Sequence, residues 1–187
     1  RFPPGVPTSR VAMMEPADLA APDALVDISA TYGHLPCFQP LLPLIVKANP
    51  HTYLSTRDPA DPLGVTWLEL AFAGLEALRR RASRPLRSAA IIGTGSGLDA
   101  AGLSQLFALD RIVASDIHPR ALAAAHWNID RYACRETRWE VLQSDLFRSY
   151  PREARFDLVY ENLPNVPEGD DLLDGIRAAS CYRPDRY

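Results

Sequence analysis

A chain of 187 residues, 47% apolar and 23% charged, has the length for one globular domain with a real core and too little for two full ones. A net charge of -3 excludes a global basic field that would gather nucleic acid or anionic lipid, so nucleic acid is not an expected partner. Three scattered cysteines and four histidines without ligand spacing exclude a disulfide framework and offer no metal site, and no apolar run approaches the roughly 20 residues of a bilayer helix; the chain reads as cytoplasmic, with no membrane partner.

Eleven of the 17 prolines fall in residues 1–62. Proline fixes φ and removes a backbone donor, so this first segment is expected to be irregular, without long helices or central strands. A short helix is expected around DALVDISATYG (23–33). The segment is either a cap over a site or a packed extension, and Tyr32 and His34 in TYGHLP are its candidates to reach a pocket. The chain opens on Arg1 and not on methionine, so further sequence is expected to precede it.

A second region, residues 63–187, has a different texture. In GVTWLELAFAGLEALRRR (64–81), Val65, Leu68, Phe72, Leu75 and Leu78 recur at three- and four-residue steps, which predicts an amphipathic helix; Thr66 and Trp67 fall at its start. Its basic end, continuing through LRRRASRPLR (78–87), reads as solvated cations near the terminal carbonyls. An alternation follows: strand SAAIIG (88–93), helix LDAAGLSQLFAL (98–109), strand RIVASD (111–116), helix PRALAAAHWNIDRYA (119–133), strand WEVLQSD (139–145) and strand FDLVYEN (156–162). Strands separated by helical segments imply parallel pairing, hence a Rossmann-like open α/β sheet, mainly parallel. Ligands of such sheets sit outside the carboxyl ends of the strands, where Gly93–Gly97, Asp116, Asp145 and Asn162 fall.

IIGTGSG sets Gly93, Gly95 and Gly97 between a strand and its helix, where a missing Cβ lets backbone turn tightly and approach a ligand. The dinucleotide fingerprint G-x-G-x-x-G would need a third glycine at position 98, which is Leu98, so a nicotinamide or flavin enzyme is disfavoured. Asp116 ends the next strand 19 residues past Gly97, placed to take both hydroxyls of a ribose or to cap the following helix. Asp145 is placed to accept from an adenine amino group, or to serve a surface turn. Glu161 and Asn162 alternate on a strand end, so only one faces a ligand; Asn162 is the candidate.

With these residues in view, the chain over roughly 64–167 resembles the class I S-adenosylmethionine (SAM) methyltransferases, whose loop has the G-x-G-x-G spacing. SDIHPRALAAAHWNI, ending near Asn128, is similar to the second-strand segment of the subgroup that methylates glutamine in release factors. FDLVYENLPNVP lines up with that subgroup's fourth-strand motif, which reads Asn-Pro-Pro-Tyr. The resemblance implies SAM as cofactor, contacted by Gly93, Thr94, Gly95, Gly97, Asp116, Ile117, Asp145, Leu146 and Asn162. It implies catalytic work for Asn162 and Pro164, whose turn would orient an acceptor through carbonyl oxygens, and a small-molecule, amino-acid-like, or protein side-chain acceptor.

Three positions depart from the pattern. Leu163 replaces the first proline and Asn165 the tyrosine, and Ile91 stands where an acid usually sits two residues before the first loop glycine. The hydrophobic–Pro–amide turn has a weaker likeness to plant methionine S-methyltransferases. These departures keep open a SAM-binding module without methyl transfer, or an enzyme that consumes SAM otherwise. The fold of this class has further C-terminal strands, whereas after Pro167 the sequence offers about one helix and a polar tail. An apolar edge at FDLVY would invite pairing, so more chain past Tyr187 or a partner subunit is expected to cover it.

Overall fold

The computed structural model describes residues 23–49, 51, 52, 54 and 66–163. Pro164, Asn165 and the segment expected to be helical after Pro167 lie outside the described residues. The first segment forms strand β1 (Ala24–Asp27), a one-turn helix α1 (Ser29–Tyr32), a 3-10 turn at Gln39–Leu41 and strand β2 (Ile45–Ala48). The helix expected across 23–33 is therefore corrected: its first half is a strand paired antiparallel with β2, and only one turn is helical. All four β1 residues are exposed, so the backbone ladder and not an apolar face holds this strand. Periodicity of side chains carries no trace of that.

Helix α2 (Trp67–Arg81) starts where its cap dictates. The Glu69 amide donates to Thr66 Oγ1 at 3.2 Å, and the Thr66 amide donates to Glu69 Oε2 at 2.5 Å, a reciprocal capping box. Then come β3 (Ser88–Ile92), α3 (Leu98–Leu106), β4 (Arg111–Asp116), α4 (Pro119–Tyr132), β5 (Arg138–Gln143) and β6 (Leu158–Glu161). These four strands form one all-parallel sheet in the order β5-β4-β3-β6. The chain winds outward from β3 through α3 and α4 to β5. It then returns through the turns of 144–157 to pair β6 with the other side of β3, so the strand order reverses at β3.

One face of the sheet buries Ala89, Ile91, Ile112, Ala114 and Tyr160 against Phe72 and Leu75 of α2, Leu103 of α3 and Ile129 of α4. Ile28, Tyr32, Phe38, Leu44 and Val46 of the first segment belong to this same cluster. A Cβ on Gly102 would run into the rings of Phe72 and Phe38, so only glycine lets α3 lie this close to them. The opposite face carries a smaller cluster, Ala90, Ile92, Val113 and Tyr150, joined by Phe156 and Leu163.

Two polar residues fix relative positions that apolar packing leaves undetermined. Asp157, just before β6, accepts from the amides of Arg87 and Ser88 at 2.9 and 3.0 Å, from Ser88 Oγ at 3.0 Å and from Arg84 Nη1 at 2.6 Å. Its own amide donates to the Ser88 carbonyl oxygen at 3.0 Å, so β6 enters the sheet in register with the start of β3. The Arg87 amide and the other donors hold the Asp157 carboxyl well below the usual carboxylate range.

Asn128 on α4 is wholly buried. Its Oδ1 accepts from the Lys47 amide at 2.8 Å, while its Nδ2 donates to the carbonyls of Lys47 and Ser96, each at 2.8 Å. One turn on, the Tyr132 hydroxyl accepts from the Ile45 amide at 2.8 Å and donates to the Ile45 carbonyl at 2.7 Å. Four helical residues rise about 6 Å and two strand residues about 6.7 Å, so side chains at i and i+4 of α4 can serve alternate residues of β2. The edge of β2 away from β1 is satisfied by a helix in place of a third strand.

Replacing Asn128 with Ala leaves one buried and two partly buried backbone groups without this partner, and is expected to destabilise the fold by about 3 kcal/mol in urea unfolding. Because the folded carboxyl of Asp157 is depressed, its stabilisation is complete above the unfolded value of about 4 and is lost as pH falls below it. Unfolding curves collected from neutral pH down to acid should show that loss in the parent chain and a smaller one in Asp157→Asn, which is already less stable at neutral pH.

Candidate active site

The glycine loop leaves β3 in a left-handed backbone. Gly93, Gly95 and Gly97 have φ of 67°, 52° and 79°, conformations that side chains strain. At Gly97 a Cβ would also meet the Ala125 backbone of α4 at 2.8 Å. The loop is pinned at successive residues: the Thr94 amide donates to the Ser115 carbonyl at 2.8 Å, the Gly95 amide to Asp116 Oδ2 at 2.9 Å, and the Ser96 carbonyl accepts from Asn128. Asp116 thus holds the loop. Its other oxygen accepts from the His118 amide at 2.9 Å, while His118 itself caps α4 by accepting from the Arg120 amide. Each carboxylate oxygen keeps a further lone pair for an outside donor.

His118 stacks on His51 of the first segment, ring centroids 3.6 Å apart. Burial, followed by the neighbouring His51, lowers the His118 pKa, which favours the neutral form of His118 beside Asp116.

A cleft opens between the loop and the end of β6. It is lined by Gly93, Thr94, Gly95, Ser96 and Asp99 on one side and Asn162 on another, with Tyr32, Leu54, Leu68 and Leu98 supplying apolar wall. Its volume of about 70 Å³ is several times what one water molecule needs. It lies where the strand order reverses, the place at which open α/β sheets hold ligands. Two buried polar atoms of its lining, Thr94 Oγ1 and Asp99 Oδ1, have no hydrogen-bond partner. Buried polar groups are nearly always satisfied in folded proteins, so orphans in a cleft point to a ligand.

The structure brings Gly93, Thr94, Gly95 and Asn162 to this cleft and sets Asp116 directly behind Gly95. Gly97 sits at the start of α3, turned against α4. Asp145 lies two residues beyond β5 and outside the cleft lining, its carboxylate 2.7 Å from Arg148 Nη1; the preceding Ser144 amide donates to the Asp116 carbonyl, so it shares the rim. Ile117 is exposed and Leu146 takes a left-handed φ of 50°. Glu161 is exposed and outside the cleft lining. His34 contacts Glu69 at 2.8 Å, whereas Tyr32 does reach the cleft. Thr66 is a buried helix cap.

Sequence reading missed Asp99 and Ser96. Both sit inside a stretch assigned to a turn and an apolar helix; an acid two residues past a glycine loop, in a helix otherwise nearly free of charge, was the available signal. Among the described residues no group of three or more His, Cys, Asp or Glu is placed to hold a metal, and no helix is long and apolar enough to cross a membrane.

No family model matches the chain. Curated relatives do. A release factor glutamine methyltransferase of Rhodopirellula baltica is 31% identical over 111 residues, 58% of this chain and 37% of that protein. Another of the same name, from Koribacter versatilis, is 36% identical over 95 residues, 50% of this chain and 33% of the relative. The match thus spans about a third of the length of these relatives. A solved structure, the ribosomal protein L11 methylase of Lactobacillus delbrueckii subsp. bulgaricus, aligns over 51% of this chain and 45% of its own at 26% identity, with a TM-score of 0.42. The resemblance of this chain to the class I methyltransferases, and within them to the release factor glutamine group, is borne out.

Proposed function

We propose that the chain forms the cofactor-binding part of a SAM-dependent methyltransferase acting in the cytoplasm on an amide-bearing protein side chain. One observation carries the reading: the left-handed glycine loop and Asn162 line a single cleft at the reversal of strand order. The names of the curated relatives supply the class of acceptor. The free thiols of Cys37 and Cys134 suit a reducing compartment.

The residues present fit the cofactor. The bare backbone at Gly95 admits close approach, the orphan Thr94 hydroxyl and Asp99 carboxylate offer hydrogen bonds, and Asp116 has acceptor capacity left for a ribose. When bound, SAM supplies a methyl group made electrophilic by its sulfonium. The task left to the chain is alignment and exclusion of water, since an amide nitrogen is a poor nucleophile with a delocalised lone pair. Asn162 is the group to accept an acceptor N–H and orient that nitrogen. Leu163 packs into the apolar cluster on the far face of the sheet and its side chain lies against Gly93, where a Cβ would meet it at 2.5 Å. In this chain the residue after Asn162 therefore anchors the turn by packing. The outer edge of β6, where Val159 is 50% exposed, is the place for more chain or a partner subunit to pair.

Two substitutions test the assignment. Asp116→Ala is expected to weaken equilibrium binding of S-adenosylhomocysteine by at least about tenfold, because it removes a ligand acceptor and the pin on the Gly95 amide together. Asn162→Ala is expected to leave that affinity within about twofold while lowering turnover of the methyl acceptor by about a hundredfold, the pattern of a group that acts on the acceptor. An affinity untouched by Asp116→Ala, or lost in Asn162→Ala, contradicts these roles.

A further inference from the structure

Position 91, where the resemblance leads one to expect an acid, is a fully buried isoleucine facing the apolar core. Its partner across the parallel pair is Tyr160 of β6. Close to that tyrosine, from the first turn of α3, comes a carboxylate that strand patterning does not reveal. Asp99 is 9% exposed, lines the cleft with Gly93, Thr94 and Gly95, and has an Oδ1 without any hydrogen-bond partner. The Tyr160 hydroxyl neighbours it, near enough for the two groups to interact as donor and acceptor, although it stands outside strict hydrogen-bond geometry.

A buried carboxylate needs a counter-charge or a full set of donors. Among the described residues, none of the ten that line the cleft is Lys, Arg or His, and no ion pair reaches Asp99. The positive end of α3 favours the ionised form without satisfying its oxygens. Without a ligand, burial holds the group toward its protonated form; the charge that would pair with its ionised form arrives with a ligand, whose end must be small and cationic to share the cleft with the Thr94 hydroxyl.

We propose that Asp99 is the receptor for the α-ammonium group at the amino-acid end of the cofactor, supplied from helix α3 in place of the acid that β3 lacks at Ile91. This rests on the functional reading above and adds a residue to it. Thr94 Oγ1 donates beside it to the same end of the ligand. Tyr160 supports Asp99 from below as a positioning residue.

The test compares two ligands by calorimetry: S-adenosylhomocysteine, and 5′-methylthioadenosine, which has the same adenosine but no amino-acid end. The parent chain is expected to bind the first more tightly. Asp99→Asn is expected to lose at least about thirtyfold in affinity for S-adenosylhomocysteine while methylthioadenosine stays within about twofold. A second measurement needs no variant. Burial pushes the Asp99 carboxyl up to about 7, so the affinity of the parent chain for S-adenosylhomocysteine should rise between about pH 6 and 8 as it ionises. Methylthioadenosine should bind evenly over that range, since it has no ammonium group to meet Asp99, and its shared adenosine end makes it the control for changes elsewhere in the cleft. A variant that keeps both affinities, or loses both alike, overturns the assignment of Asp99 and leaves the cofactor reading standing. A parent chain that binds neither ligand overturns both.

Discussion

The hydrogen bond from the Gly95 amide to Asp116 is the contact on which the site depends. Three residues of left-handed backbone are costly to order unless they are held from outside, and here neighbouring elements do the holding. Asp116 comes from the end of β4, the Ser115 carbonyl from one residue earlier, and Asn128 from α4. The loop is thus a product of the sheet and helix around it. A glycine-rich sequence alone would be a flexible turn; pinned in this way it becomes a rigid concave surface with its Thr94 hydroxyl buried and unpartnered.

The same residues tie the first segment to the sheet. Asn128 serves the Ser96 carbonyl and both backbone groups of Lys47, so the glycine loop and β2 share one side chain. Asn49 extends the seam, its Nδ2 donating to the Arg120 carbonyl at 3.0 Å and to Asp23 Oδ1 at 3.0 Å. Through Tyr32 and Leu54 the first segment also walls the cleft. Disturbing this seam would reach the loop through a single carboxamide, which makes the proline-rich segment a structural partner of the site.

Much of the architecture was legible because it is written in side-chain periodicity. The four parallel strands and helices α2 to α4 begin and end within a few residues of their predicted bounds, since apolar residues on those elements face the buried clusters on the two sides of the sheet. Strand β1 was not legible, because its stability lies in backbone pairing and its four side chains are all exposed. The glycine loop, Asp116 and Asn162 announced themselves by falling at strand ends. Asp99 did not: its helix is buried nearly all round, so no polar face marks the acid out, and its one signal was a charge among apolar and small residues. Asp157 and Asn128 were quoted in motifs, yet their structural roles depend on contacts 69 and 81 residues away in sequence that no local reading contains.

What remains is whether the cleft holds the ligand that its chemistry describes. The most direct measurement is a crystal structure of the chain grown with S-adenosylhomocysteine. The amino-acid end is expected against Thr94, Gly95 and Asp99 between the ends of β3 and β6, with the ribose within hydrogen-bond reach of Asp116. Clear density for the ligand elsewhere on the molecule, or an empty cleft at saturating concentration, would contradict this reading.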